Sequence, residues 1–126
     1  MPGTRPGMTM ERPVTTIYKI LPAALWADAQ KAGVFVGSEV DLKDGYIHFS
    51  TAQQAVETAA KHFAGQSGLV LLHVDAHILG EALKWEPSRG GALFPHLYDN
   101  LHIKHVTHVD PLPLGRDGRH IFPNLV

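Results

Sequence analysis

Both helical patterns in this chain lie before Gly65, and beyond it the sequence reads as strands and turns almost to its end. That segregation limits the fold more than any other feature. A doubly wound sheet needs a helix after each strand. Helices early and strands late predict instead an α+β domain with a small mixed or antiparallel sheet and two main helices. The clearer helix places Ala52, Ala55, Val56, Ala59, Ala60 and Phe63 on one stripe at helical spacing, with Gly65 as its stop. Lys61 and His62 near its end complement the helix dipole. The earlier helix starts at Pro22, carries Leu25, Trp26 and Ala29, and stops at Gly33.

Strand patterns fill most of the remainder. Thr15–Leu21 alternates, with Ile17, Lys19 and Leu21 on one face. A lone Lys on such a strand ordinarily reaches solvent; the alternative is a Lys that lines a cleft. Val34–Gly37 is a short extended piece, and 38–43 reads as a polar loop. Gly68–Asp75 is a buried-type strand. Leu83–Glu86 is a strand stopped by Pro87, and 88–92 is a loop. Pro95 marks Leu93–Tyr98 as an edge or bulged strand. Ile103–Asp110 alternates as a last strand, and the Pro-rich end packs along the surface.

The first 14 residues hold three Pro, two Gly and three Met without periodicity and read as a flexible leader; Met10 offers a second start position. Residues 15–126 form a single domain. The chain has no Cys, which excludes disulfides, thiol catalysis and zinc–thiolate sites. A net charge of -1 provides no bulk basicity for nucleic acid, so no nucleic-acid partner is expected. No apolar run approaches the roughly 20 residues of a membrane span, and the N-terminus lacks a signal-peptide centre. A cytoplasmic location follows by default, and the oligomeric state is left open.

Asp44-Gly45-Tyr46-Ile47-His48-Phe49-Ser50-Thr51 compresses a turn, a strand and a helix cap into eight residues. Asp-Gly makes the turn. Ser50 or Thr51 caps the helix, with Gln53 or Gln54 completing a capping box. One imidazole and two hydroxyls therefore meet where backbone N–H groups are free to hold an anion. Two further clusters mix aromatic and titratable groups at strand ends: Trp85-Glu86-Pro87-Ser88-Arg89-Gly90-Gly91 and Phe94-Pro95-His96-Leu97-Tyr98. Each residue also has a structural role to fill as cap, core side chain or surface pair. Three such clusters in one small domain exceed what packing requires.

No metal site is expected. His73 and His77 have helical spacing but sit in a strand pattern, and on a strand His105 points away from His102 and His108. The G-x-S-x-G elbow and the glycine-rich phosphate loops are absent.

These motifs, with Ile17-Tyr18-Lys19-Ile20-Leu21 before them, resemble the family known as domain of unknown function 952 over roughly residues 15–110. That family is distantly similar to the ADP-ribosyltransferase-like fold. His48-Phe49-Ser50 is similar to the His-hydrophobic-Ser motif that begins part of the NAD pocket there. The resemblance implies a nucleotide-type, NAD-like small-molecule ligand and ADP-ribosyl- or phosphotransferase-like activity. It makes His48 and Glu86 the candidate catalytic residues, with Glu86 orienting a nucleophile's hydroxyl. Lys19, Ser50, Thr51, Trp85, Arg89, His96 and Tyr98 are the candidate ligand contacts, and Lys19 stands nearest to the first-strand His or Arg of that fold. The arginines of the RNA phosphotransferases have no counterparts here, which argues against tRNA-splicing chemistry. The alternative is a non-enzymatic module that binds a small metabolite or a protein.

Overall fold

The structure is a computed structural model that describes residues 15–125; the leader, and the side chain of Arg89, lie outside the described residues. In chain order the elements are β1 (Thr16–Pro22), α1 (Ala23–Ala32), β2 (Val34–Phe35), α2 (Glu39–Asp44), β3 (Ile47–His48), α3 (Ala52–His62) and β4 (Leu69–Asp75). Then come β5 (Leu83–Ser88), β6 (Ala92–Leu97), β7 (Leu101–His102) and β8 (Val106–Leu112), with 3-10 turns at Ala76–Ala82, Arg89–Gly91 and Ile103–His105. The architecture is α+β, and every strand pairing is antiparallel. Among the described residues three small sheets form, ordered β1-β4-β8, β2-β7 and β3-β6-β5. Among the described residues no helix is long and apolar enough to cross a membrane.

β1 and β4 are buried on both faces, which explains their nearly unbroken apolar sequences. Ile17, Leu21, Leu72 and Val74 pack with Trp26 and Ala29 of α1 and with Phe49 and Leu97. Tyr18, Ile20, Leu69 and Leu71 face the other way, onto Ala55 and Ala59 of α3. The alanines let α3 lie close to the strands, while Val56, from the same predicted stripe, is largely exposed.

Three local expectations change. The polar loop of 38–43 is the helix α2, started by a capping box in which Ser38 and Asp41 exchange side-chain-to-backbone hydrogen bonds. Gly45 ends that helix at φ 90°, a left-handed conformation that other residues resist. Pro87 does not stop β5, which runs to Ser88: β5 is an edge strand, where a missing N–H is tolerated. Pro95, expected at an edge, is buried in the central strand β6. The two-residue β3 has ended at that level, and the Pro95 carbonyl accepts from Phe49 N–H at 3.0 Å.

The site is assembled by one short junction. Tyr18 N–H donates to Ser50 O and Ser50 N–H to Tyr18 O, both at 2.8 Å. This bridge ties β1 to the segment leaving β3. With the β3–β6 pairing of His48 and His96, it sets Lys19, His48, Ser50 and His96 around one hollow.

Candidate functional site

A cleft of about 620 Å³ opens between β1, α1, α2, α3 and β6. Its apolar wall includes Leu25, Phe49, Phe63 and Phe94, and its polar end holds Lys19, His48, Ser50 and His96. Glu39 and Asp44 also line it and add negative charge.

Asp41 organises the polar end and was not singled out from sequence. It is 1% exposed. Its carboxylate accepts from Lys19 Nζ at 2.9 Å, from Ser38 N–H at 2.8 Å, and from His48 through both N–H at 3.1 Å and Nδ1 at 2.6 Å. Burial alone would raise its pKa. The His48 hydrogen bond, the Lys19 charge and the Ser38 N–H prevail and hold it well below the usual carboxylate range. Lys19 therefore does not reach solvent: it is buried, with its ammonium against Asp41. A Cβ on Gly37 would lie 2.9 Å from Asp41 Cβ, so only glycine lets the chain pass there.

His48 extends from this anchor. Its Nδ1 faces Asp41, and its Nε2 lies 2.9 Å from Asp44 Oδ2. Both ring nitrogens of His48 are therefore engaged by carboxylates. His96, paired with His48 in register, is turned by a different carboxylate: Nδ1 donates to Glu86 Oε1 at 2.7 Å. Tyr98 OH donates to the same oxygen at 2.8 Å. Tyr46 stacks on His96 at 4.1 Å and touches the rings of His48 and Tyr98. The two imidazole centroids stand 5.5 Å apart. Each histidine is thus aimed through Nδ1 by a carboxylate, an arrangement that fixes ring orientation.

Lys19, His48, Ser50 and His96 come together at the cleft. Glu86 lies behind His96 and reaches the cleft through it. Tyr98 shares that position and is 45% exposed. Thr51 caps α3, accepting from Gln54 N–H at 3.2 Å in a capping box, as the spacing predicts. Trp85 falls between Lys84 and Glu86 on β5 and so faces away from Glu86, 41% exposed. Ser50 Oγ lies 2.9 Å from Thr58 Oγ1. The histidine series at the chain end also differs from expectation. Residues 103–105 form a 3-10 turn, in which positions three apart eclipse, and the His102 and His105 rings meet at 5.6 Å.

His96 and Tyr98 both donate to Glu86, and the Tyr98 hydrogen bond acts on both of its partners. The His96 and Tyr98 donors hold the Glu86 carboxyl below its usual range, and Tyr98 is pushed up to about 12, chiefly by that bond. Glu86→Gln should return Tyr98 ionisation toward the ordinary phenol value near ~10. Tyrosinate absorbance in an alkaline titration, with Tyr98→Phe to identify the signal, checks this. An unchanged titration would show that Glu86 does not hold Tyr98 in solution.

The family model described as "Protein of unknown function (DUF952)" matches residues 20–109. No curated protein matches. Among solved structures, the X-ray crystal structure of protein CC0527 from Caulobacter crescentus is similar at 57% identity, covering 85% of this chain and 94% of that one, with a TM-score of 0.83. The solution NMR structure of CC0527 is similar at 58% identity, covering 82% of this chain and 90% of that one, with a TM-score of 0.76. With most of its length matched by that family model, this chain belongs to the DUF952 family.

Proposed function

We propose that the cleft binds a small molecule of nucleotide type, with NAD or its ADP-ribose part as the reference ligand. One observation carries the reading: an apolar wall and a two-histidine end face the same opening. The volume, about 620 Å³, lies within the roughly 300–1,000 Å³ of small-molecule sites. A flat ring would lie along Leu25, Phe63 and Phe94. Ribose or phosphate oxygens would meet His96 and the Ser50 hydroxyl, and would meet His48 once they displace Asp44, 2.9 Å from its Nε2. His48-Phe49-Ser50 is also the motif that likens this chain to the ADP-ribosyltransferase-like fold. Glu86 acts in this reading as a positioning residue behind His96.

Transfer chemistry is the next step of the same proposal. An oriented imidazole accepts a proton from an attacking hydroxyl. His48 must first part from Asp44, and His96 offers Nε2. The engagement of both His48 nitrogens favours a second reading, a non-enzymatic binding module. Binding without turnover of NAD would select it.

Calorimetry with NAD, ADP-ribose and phosphorylated nucleotides tests the proposal. A dissociation constant below millimolar is expected for at least one, weakened about tenfold or more when His48→Ala and Ser50→Ala are combined. No binding below millimolar, or full binding by the double variant, would reject it.

A further inference from the structure

Another cluster of titratable groups lies outside the cleft, on the β1-β4-β8 sheet. His73 on β4 stands opposite His108 on β8 in antiparallel register. Asp110 lies two residues beyond His108 and therefore on the same face. His73 Nε2 is 2.7 Å from Asp110 Oδ2, and His108 Nε2 is 2.9 Å from Asp110 Oδ1. One ligand atom from each residue lies within 4.8 Å of the others. The two rings meet edge to face at 4.9 Å, and Tyr18 packs edge-on against His73 at 4.9 Å.

We propose that His73, His108 and Asp110 form a binding site for a divalent transition-metal ion, with Zn²⁺ as the reference. Two imidazoles and a carboxylate suit borderline metals, whereas Mg²⁺ and Ca²⁺ prefer oxygen donors. A tetrahedral zinc with bonds of about 2.0–2.2 Å sets its ligand atoms roughly 3.3–3.5 Å apart. The three atoms here lie within 4.8 Å of one another, with the histidines at 2.7 and 2.9 Å from separate Asp110 oxygens, so the side chains must turn to admit an ion between them.

The His73 and Asp110 side chains are only 16% and 20% exposed, so two ligands are held in place. His108, 61% exposed, leaves an open side for water. In the metal-free state both Nε2 atoms donate to Asp110. With zinc bound, each neutral ring carries its proton on Nδ1 and turns the Nε2 lone pair to the ion. The site joins β4 to the edge strand β8, so its occupancy should raise the melting temperature.

The three ligands come from positions 73, 108 and 110, a spacing that only the strand register makes local. The test uses the full chain, stripped with a chelator and titrated calorimetrically with Zn²⁺. A micromolar dissociation constant is expected, weakened about tenfold or more by His108→Ala and by Asp110→Asn. His102→Ala with His105→Ala should leave it unchanged. His108 and His102 are exposed and His105 is half-buried, so these variants should fold, and melting curves verify that. Co²⁺ should give visible absorption that His108→Ala removes. Affinity weaker than millimolar, equal affinity in His108→Ala, or loss of binding in the His102/His105 variant would overturn the proposal.

Discussion

Replacing Asp41 with alanine is expected to lower the unfolding free energy by about 3–5 kcal/mol, a fall in melting temperature on the order of 10–20 °C. The reason is what remains behind. Lys19 is buried in β1 between apolar neighbours, and its ammonium would lose its carboxylate partner. The N–H groups of Ser38 and His48 would lose the same acceptor. A buried charge left alone costs far more than a buried pair contributes. Removing both charges with Lys19→Met and Asp41→Asn should therefore be milder than the sum of the single changes. A coupling on the order of 1–3 kcal/mol is expected from the complete cycle.

The same carboxylate determines the sign of the acid response. Its pKa is lower folded than unfolded, so the unfolded chain takes up the proton first. Its contribution is complete above about pH 4 and is lost as pH falls toward the folded-state value. Urea unfolding followed from pH 7 to acid should show stability declining below that point, and Asp41→Asn should flatten the decline. An Asp41→Ala cost under about 1 kcal/mol would show that Asp41 does not anchor the site.

Leu25→Trp should close the cleft while sparing the fold. Leu25 lies on α1, 37% exposed, and its side chain forms part of the apolar wall. Substitutions at such half-exposed positions usually change stability by about 0.5 kcal/mol or less. The indole would occupy space that a bound ring needs. Loss of about 100 Å² of apolar contact at ~25 cal/mol per Å² is about 2.5 kcal/mol, somewhat under a hundredfold in affinity. Calorimetry paired with a melting curve separates the two effects. Undiminished affinity would place the ligand elsewhere, and a large drop in melting temperature would show that Leu25 belongs to the core.

The parts legible in the sequence are those governed by near neighbours. The apolar spacing of α3 and its Thr51–Gln54 box are local, and both are present. Gly33 ends α1 in the left-handed conformation, as expected for a glycine stop. The placement of helices before strands identifies the α+β class. His48 and Ser50 stand in one sequence cluster and His96 in another, but the β3–β6 pairing and the Tyr18–Ser50 bridge that bring them beside Lys19 could not be anticipated. Asp41 acquires its role through Lys19, 22 residues earlier, a contact without local periodicity. Ser38 and Asp41 do have capping-box spacing, and that signal would have identified α2. Trp85 shows the opposite case: its type suits a core or a stacking platform, yet the register of β5 turns it outward.

The nine histidines allow the binding claim to be tested in a single experiment. Imidazole nitrogen NMR signals, assigned by substitution, can be followed while ADP-ribose is added. His48 and His96 should move together and saturate, while His73, His102, His105, His108 and His120, outside the cleft lining, should stay in place. Stationary His48 and His96 signals at millimolar ligand, or shifts confined to the histidines outside the cleft lining, would contradict a ligand site in the cleft.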